Sequence, residues 1–343
     1  MKRELRTIKQ DEITAWLKEM HEPAFRSSQI NEWLWEKAVD DISQMRNLPL
    51  LLREKLKKDF YLDSINIKNT LVSRDKTMKL AFKLNDNRYV EGVLIPAEKR
   101  VTACISTQVG CRMGCKFCAT GKMGFGRNLH VGEIYLQAWK LNALSKEYFG
   151  KALSNIVVMG MGEPLDNFQS STGALKKIID KKGMGMSPRR ITLSTVGLSP
   201  EIKKLADTGL DINLSVSLHA ANDKLRRELI PIARKYDLDT LAESLQYYFQ
   251  QTKKRISYEY ILFKNINDSL LHAAELSSFT KITACKINLI EYNPVEGTGY
   301  DKSEKHDVQG FIRHLDNKNI IVKLRQSRGD DVDAGCGQLA NKF

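Results

Sequence analysis

The sequence predicts an α/β chain: an incomplete (β/α)6-type barrel preceded by a small N-terminal helical accessory domain. Three observations carry that prediction. From Val101 onward, short apolar runs recur at intervals long enough for a crossover helix, the pattern of a parallel sheet covered by helices. Those runs are nearly continuous in Val, Ile and Leu, as in strands buried on both faces, instead of alternating with polar residues. No glycine-rich dinucleotide fingerprint follows the first of them, which favours a partial barrel over an open doubly wound sheet.

Residues 1–62 read as helical. Asp11 to Met20 carries Ile13, Leu17 and Met20, and Gln29 to Val39 carries Ile30, Trp33, Leu34 and Val39, both near helical spacing. Pro49 to Phe60 adds a third short helix with Lys55, Lys57 and Lys58 on its wet side. So small a bundle is expected to pack on the rest of the chain, as a lid or as a grip on RNA. Residues 63–100 form a β extension and linker, with strands at Thr77 to Leu84 and Tyr89 to Ile95 around the turn signal Asn85-Asp86-Asn87. Residues 101–325 hold the barrel. Its strands are expected at Val101 to Ser106, Ser154 to Met159, Arg190 to Thr195, Asn213 to Leu218, Ile256 to Phe263, Lys286 to Tyr292 and Ile320 to Arg325. Helices are expected over Val131 to Glu147, Ser170 to Lys181, Asp239 to Gln251, Ser269 to Phe279 and Glu304 to Asn317. A tail, 326–343, closes the chain.

Bulk properties narrow the function. The net charge of +13, from 54 basic and 41 acidic residues in 343, points to a polyanionic partner. Four of the six cysteines crowd into Cys104 to Cys118, an arrangement unlike a secreted disulfide scaffold. No signal peptide opens the chain and no run of about 18 apolar residues occurs, so a cytoplasmic protein with no membrane partner is expected.

The chemistry centres on Gly110 to Gly126, where Cys111, Cys115 and Cys118 stand four and three residues apart among small residues. Three thiolates so spaced can bind three irons of a 4Fe-4S cluster and leave the fourth iron open to a substrate or cofactor. A structural zinc would need a fourth ligand, and His130 lies beyond a long basic loop. Polar motifs end the later strands: Gly160 to Pro164 with Gly162 and Glu163, then Ser194, then Ser217-Leu218-His219, then Asn293 in Tyr292-Asn293-Pro294. C-terminal strand ends form the active-site face of a β/α barrel, so hydroxyls, amides, a carboxylate and an imidazole could surround one polar cofactor there. Two stretches are basic without an acidic residue. Arg112, Lys116, Lys122 and Arg127 form one, and Lys181, Lys182, Arg189 and Arg190 the other. If both rim one face, they would neutralise RNA phosphates. Phe117 and Phe125 are expected to cover the cluster.

With Val90-Glu91, Cys104, the cysteine motif, Gly160 to Pro164, Ser217 to His219, Tyr292 to Pro294 and the tail Arg328 to Leu339, nearly the whole chain resembles the bacterial radical S-adenosylmethionine (SAM) adenine C2 methyltransferases of 23S rRNA and tRNA. The resemblance implies that Cys111, Cys115 and Cys118 bind the 4Fe-4S cluster. It implies that Gly162, Glu163, Ser194, Ser217, Leu218, His219 and Asn293 contact SAM. It further implies that Cys336 carries the methyl group, that Cys104 is its redox partner and that Glu91 accepts a proton. Two SAM molecules are implied per methylation, one as methyl donor to Cys336 and one as radical source, followed by a covalent RNA adduct that a Cys104–Cys336 disulfide releases. A flavodoxin or ferredoxin system is the implied electron donor. The sister enzymes that methylate C8 of the same rRNA adenosine share the cluster and both redox cysteines. Pro164 and the character of Phe125 to Leu129 and Glu259 to Asn267 resemble the C2 branch more closely. The one departure is Gly335, where the family often has alanine.

Overall fold

Three helices, α1 (Gln10–Glu19), α2 (Phe25–Asn31) and α3 (Leu50–Asp59), open the chain in a computed structural model that describes residues 2–341. Helix α1 buries Ile13 and Leu17 of its expected stripe together with Trp16, with Met20 at its C-cap, and α3 buries Leu52 and Leu56. The middle helix starts before Gln29 and ends in a π turn, Glu32–Glu36. That wider turn lets the consecutive residues Leu34 and Trp35 both reach the core.

Ten strands then form one sheet in simple chain order. The first four, β1 (Asn66–Val72), β2 (Met78–Lys83), β3 (Tyr89–Ala97) and β4 (Arg100–Cys104), pair antiparallel. The other six run parallel to β4: β5 (Asn155–Val158), β6 (Ile191–Thr195), β7 (Asn213–Ser217), β8 (Ile256–Leu262), β9 (Cys285–Glu291) and β10 (Val322–Arg325). Strand β8 is buried at every position, as its unbroken apolar run requires of a central strand. The crossovers carry α4 (Val131–Phe149), α5 (Phe168–Ile179), α6 (Ser199–Asp207), α7 (Asp223–Leu229), α8 (Leu238–Thr252), α9 (Leu270–Phe279) and α10 (Lys305–Asp316). This is the mixed α/β, parallel-stranded architecture expected. Strand β1 was not foreseen, because it lies at an edge with most residues exposed and so shows no period-two alternation.

Buried contacts knit the N-terminal segment together and fix it to α4. The buried Arg6 guanidinium donates to the carbonyls of Leu34 (3.3 Å), Asp63 (3.1 Å) and Val39. Tyr135 of α4 donates its hydroxyl to the Trp35 carbonyl, with the two rings edge-on at 5.0 Å. One hydrophobic core is continuous from Leu5 to Leu339.

The sheet curls until β3 and β4 face β9 and β10 across a cavity, and the tail crosses the seam left between its two edges. Asp331 accepts from the Ser73 hydroxyl and from Arg74 N (3.1 Å), Gly329 N donates to Asp75 (3.3 Å), and Arg328 pairs with Asp75 at 3.6 Å. Among the described residues, no helix is long and apolar enough to cross a membrane.

Candidate active site

A two-stranded hairpin, Gln108–Gly110 against Phe125–Asn128, holds the cysteine loop at its tip. Gly110 closes it with φ at +72°, where a Cβ would fall 1.9 Å from the Gly124 carbonyl oxygen, so only glycine fits. Cys111 N donates to that carbonyl at 2.8 Å, and Cys118 N to the Cys115 carbonyl at 3.2 Å. All three cysteines are free thiols lining one cavity of about 140 Å³. Burial pushes the Cys111 thiol up to about 12, Cys115 well above its usual range, and Cys118 upward as well. Without metal these sulfurs would keep their protons; bound iron takes the proton's place.

Among the described residues, the three cysteine sulfurs do not gather within 4.8 Å of one another. A single tetrahedral ion would hold its thiolates roughly 3.8 Å apart. Soft sulfur donors spread round a cavity fit a multi-iron cluster. The trio that is gathered, Asp63, His130 and Glu133, is already committed. His130 Nδ1 bonds Asp63 at 2.7 Å, and Glu133 takes both Arg127 Nη atoms at 2.7 Å while capping α4 through His130 N.

The same cavity collects the expected strand-end residues Gly162, Glu163, Ser194, Ser217 and His219. Gly162 adopts φ +98° with its missing Cβ 2.5 Å from Gln108 Cβ. Burial raises the Glu163 carboxyl to about 7, even though it accepts from Val196 N (2.9 Å) and Leu165 N (3.0 Å). An ammonium group such as that of SAM would favour its ionised form. Ser194 and Ser217 hydroxyls stand 3.5 Å apart. His219, with φ +53°, is kept neutral by burial, its pKa lowered to about 3; Nδ1 accepts from Ile261 N at 3.0 Å, so Nε2 carries the hydrogen. The Phe117 ring stands edge-on to it at 4.8 Å. These groups fit a polar, cationic cofactor beside the cluster. Leu218 is a core side chain whose N–H donates to the Glu259 carbonyl at 3.0 Å.

A second cavity, about 620 Å³, opens behind the first, and Cys336 lines both. Cys104 lines the second, as does Asn293, whose amide reaches the Cys336 carbonyl at 3.4 Å. Burial, then proximity of Cys336, pushes the Cys104 thiol up to about 12. Cys336 is exposed into the cavities yet ringed by protein, so burial raises its thiol while Arg325 opposes the rise. The tail that presents it is pinned to the cysteine loop: Ala119 N donates to the Gly337 carbonyl (2.7 Å) and Thr120 Oγ1 to that of Leu339 (2.6 Å).

Glu91 lines neither cavity. It is buried under the tail, paired with Lys79 at 3.2 Å and accepting from Ala340 N at 2.9 Å. Sequence reasoning missed Glu259, which lines the first cavity and joins Ser215 Oγ (2.6 Å), Asn288 Nδ2 (2.7 Å) and Arg325 (3.5 Å). Its position on strand β8, level with Ser217 and Asn288 on the neighbouring strands, was the available signal.

The two basic stretches do not share a face. Arg112, Lys116, Lys122 and Arg127 belong to the cysteine loop and its hairpin. Lys181, Lys182, Arg189 and Arg190 lie at the opposite end of the sheet, because α5 returns the chain to where parallel strands begin. The Arg189 and Arg190 carbonyls accept from Asn213 and Asn155, the first residues of β7 and β5. Arg127 is also spoken for, by Glu133 and by Asp86 at 2.7 Å. Arg112 pairs with Asp166 at 2.9 Å and lies 3.8 Å over the Phe125 ring. Phe125 is therefore an exposed platform for Arg112, whereas Phe117 lines the cavity of the three cysteines.

Comparison with known proteins agrees with this geometry. A family model described as the radical SAM superfamily matches residues 105–276, and one described as a ribosomal RNA large subunit methyltransferase N-terminal domain matches residues 3–62. A protein of Flavobacterium johnsoniae named probable dual-specificity RNA methyltransferase RlmN is 42% identical over 99% of this chain and 98% of its own. The dual-specificity RNA methyltransferase RlmN of Nautilia profundicola is 40% identical over 94% of each chain. The crystal structure of a radical SAM methyltransferase from Sphaerobacter thermophilus superposes with a TM-score of 0.91 at 36% identity, covering 98% of this chain and 99% of that one. The chain belongs to the radical SAM superfamily and, within it, to the RlmN family of RNA methyltransferases.

Proposed function

We propose that this enzyme methylates C2 of an adenosine in 23S rRNA and of the adenosine 3′ of the anticodon in certain tRNAs, with Cys336 as covalent methyl carrier. The reading rests on one observation above the others: Cys336 lines both the cavity of the three cysteines and the cavity of Cys104. A residue there can meet SAM on one side and RNA on the other. The names of the relatives, which cover nearly the whole chain, support the dual RNA substrate.

Adenine C2 has no nucleophilic lone pair, so direct attack on an electrophilic methyl group does not serve, and radical chemistry has to come from the cofactors. Cys111, Cys115 and Cys118 would hold the 4Fe-4S cluster, which would supply the electron that makes SAM a source of a hydrogen-abstracting radical. Glu163, Ser194, Ser217, His219 and the Gly162 backbone hold SAM. Cys336 gives up its proton to solvent, and its thiolate attacks the SAM methyl carbon, breaking the sulfonium–methyl bond, releasing S-adenosylhomocysteine and leaving a thioether. After the activated thioether carbon bonds to C2, Glu91 takes the C2 proton and the adduct's unpaired electron would return to the one-electron carrier that supplied it, leaving a closed-shell thioether; the raised pKa of Glu91 makes it a stronger base than an ordinary carboxylate, and the tail above it has to lift for it to act. The Cys104 thiolate then attacks Cys336 Sγ, breaking the sulfur–carbon bond and sending its electron pair to the departing methyl carbon, which is protonated. The Cys104–Cys336 disulfide left behind returns to thiols with two electrons from a flavodoxin- or ferredoxin-type donor.

Nucleoside mass spectrometry of rRNA and tRNA, after anaerobic incubation with reconstituted enzyme, SAM and reductant, tests the assignment. Authentic 2-methyladenosine and 8-methyladenosine separate by retention. A 2-methyladenosine product is expected; 8-methyladenosine would move the enzyme to the C8 branch.

A further inference from the structure

The end of the larger cavity where its strands begin carries cations that methyl transfer itself does not use. Period-two alternation sends Arg100, Thr102 and Cys104 of β4 to one wall and Lys286, Asn288 and Ile290 of β9 to the facing wall, while the edge strand β10 adds Lys323 and Arg325. Arg325 is tethered to Glu259 at 3.5 Å. Arg100, Lys286 and Lys323 form no ion pair or side-chain hydrogen bond among the described residues.

We propose that Arg100, Lys286 and Lys323 hold RNA phosphates flanking the target adenosine, so that the nucleotide occupies the larger cavity between the β3–β4 and β9–β10 walls and reaches Cys336 from the side opposite SAM. This deepens, and rests on, the adenosine-methylation reading above. Four residue steps separate Arg100 from Cys104 on its strand, about 13 Å at roughly 3.3 Å per residue. That separation suits a base at the sulfurs and its backbone at the cations. Burial and the repulsion of Arg325, Lys323 and Arg255 lower the Lys286 pKa despite Glu259. Cations gathered in this way, with Lys286 half-buried and Arg100 and Lys323 exposed, repel one another until an anion arrives. Phosphate contacts of this kind set register and leave base choice to the cavity, as an adenine taken out of its stack requires.

The test is anisotropy of a labelled RNA stem-loop carrying the target adenosine, titrated with full-length, cluster-loaded enzyme across a salt series. The double variant K286Q/K323Q is compared with K146Q/K203Q, which removes equal charge from exposed helix positions outside the cavity. Loss of two phosphate contacts on a single strand is expected to flatten the log Kd against log salt slope by about 1.4, with affinity down about tenfold or more, while K146Q/K203Q keeps the original slope. Methylation of Cys336 from SAM without RNA, read by protein mass spectrometry, reports an intact fold and a loaded site in each sample. If K286Q/K323Q does not fold, R100Q alone carries the test with an expected change of about 0.7. Slopes and affinities equal to those of K146Q/K203Q overturn the proposal. A flattened slope with no methylated adenosine from the unsubstituted enzyme would instead keep the phosphate site and refute the methylation reading.

Discussion

Substitution of Lys79 by methionine probes how the tail is held over the site. Lys79 and Glu91 are 3% and 0% exposed at the side chain and lie 3.2 Å apart, and Glu91 also receives Ala340 N at 2.9 Å. Removing one partner of a buried pair costs about 3–5 kcal/mol, whereas replacing both is close to neutral. Lys79→Met is therefore expected to lose about 3–5 kcal/mol, and the double variant K79M/E91Q to recover most of it. The sign with pH follows from Glu91. Burial already raises its carboxyl, with Lys79 opposing the rise, so without Lys79 the folded-state pKa climbs further. A carboxyl raised on folding favours the folded state most below its unfolded pKa, and that contribution is lost as pH rises through the folded pKa. The Lys79→Met penalty should thus be largest near about pH 8 and shrink toward about pH 5. Urea unfolding of the four proteins of the cycle at both pH values, with hydrogen exchange at Ala340, measures this. A cost below about 1 kcal/mol near pH 8, or one that does not change with pH, would refute the argument, since an exposed pair behaves that way.

Cys104→Ala should stall after carbon–carbon bond formation and accumulate RNA covalently bound to protein, visible on a denaturing gel during turnover; its absence would remove Cys104 from the release step. Gly162→Ala places a Cβ 2.5 Å from Gln108 Cβ at φ +98° and should cost about 1–3 kcal/mol together with SAM binding, checked by melting and by calorimetric titration with SAM. His219 has a folded pKa near 3 against 6.5 unfolded, so it stabilises the fold above 6.5 and loses that contribution as pH falls toward 3. About 2 kcal/mol should disappear between roughly pH 6.5 and 5, and His219→Gln should flatten that part of the stability–pH curve.

The parallel sheet was readable because its strands are buried on both faces and so written as apolar runs, Ile256 to Leu262 most clearly. Strand β1 was not, since an exposed edge places no demand on side-chain pattern. The convergence of the three cysteines on one cavity was readable because they stand on one short loop. Arg127 misled because its carboxylates, Asp86 and Glu133, lie outside the basic stretch that contains it. The 181–190 stretch misled because charge composition does not say at which end of a strand a loop falls. The cationic end of the large cavity depends on β4 facing β9 and β10 across the curled sheet. That pairing of walls is a property of the closed fold and is absent from any window of sequence.

The central claim, that one cysteine between two cavities carries the methyl group, is tested most directly with SAM bearing a trideuterated methyl group. Enzyme incubated with it before RNA is added should yield a peptide whose Cys336 holds the intact labelled methyl. After addition of RNA and reductant in unlabelled SAM, the first product should be 2-methyladenosine carrying two deuterium atoms, one having been abstracted. Labelled Cys336 that never passes its label to RNA, or RNA methylated while Cys336 stays unmodified, would contradict the account.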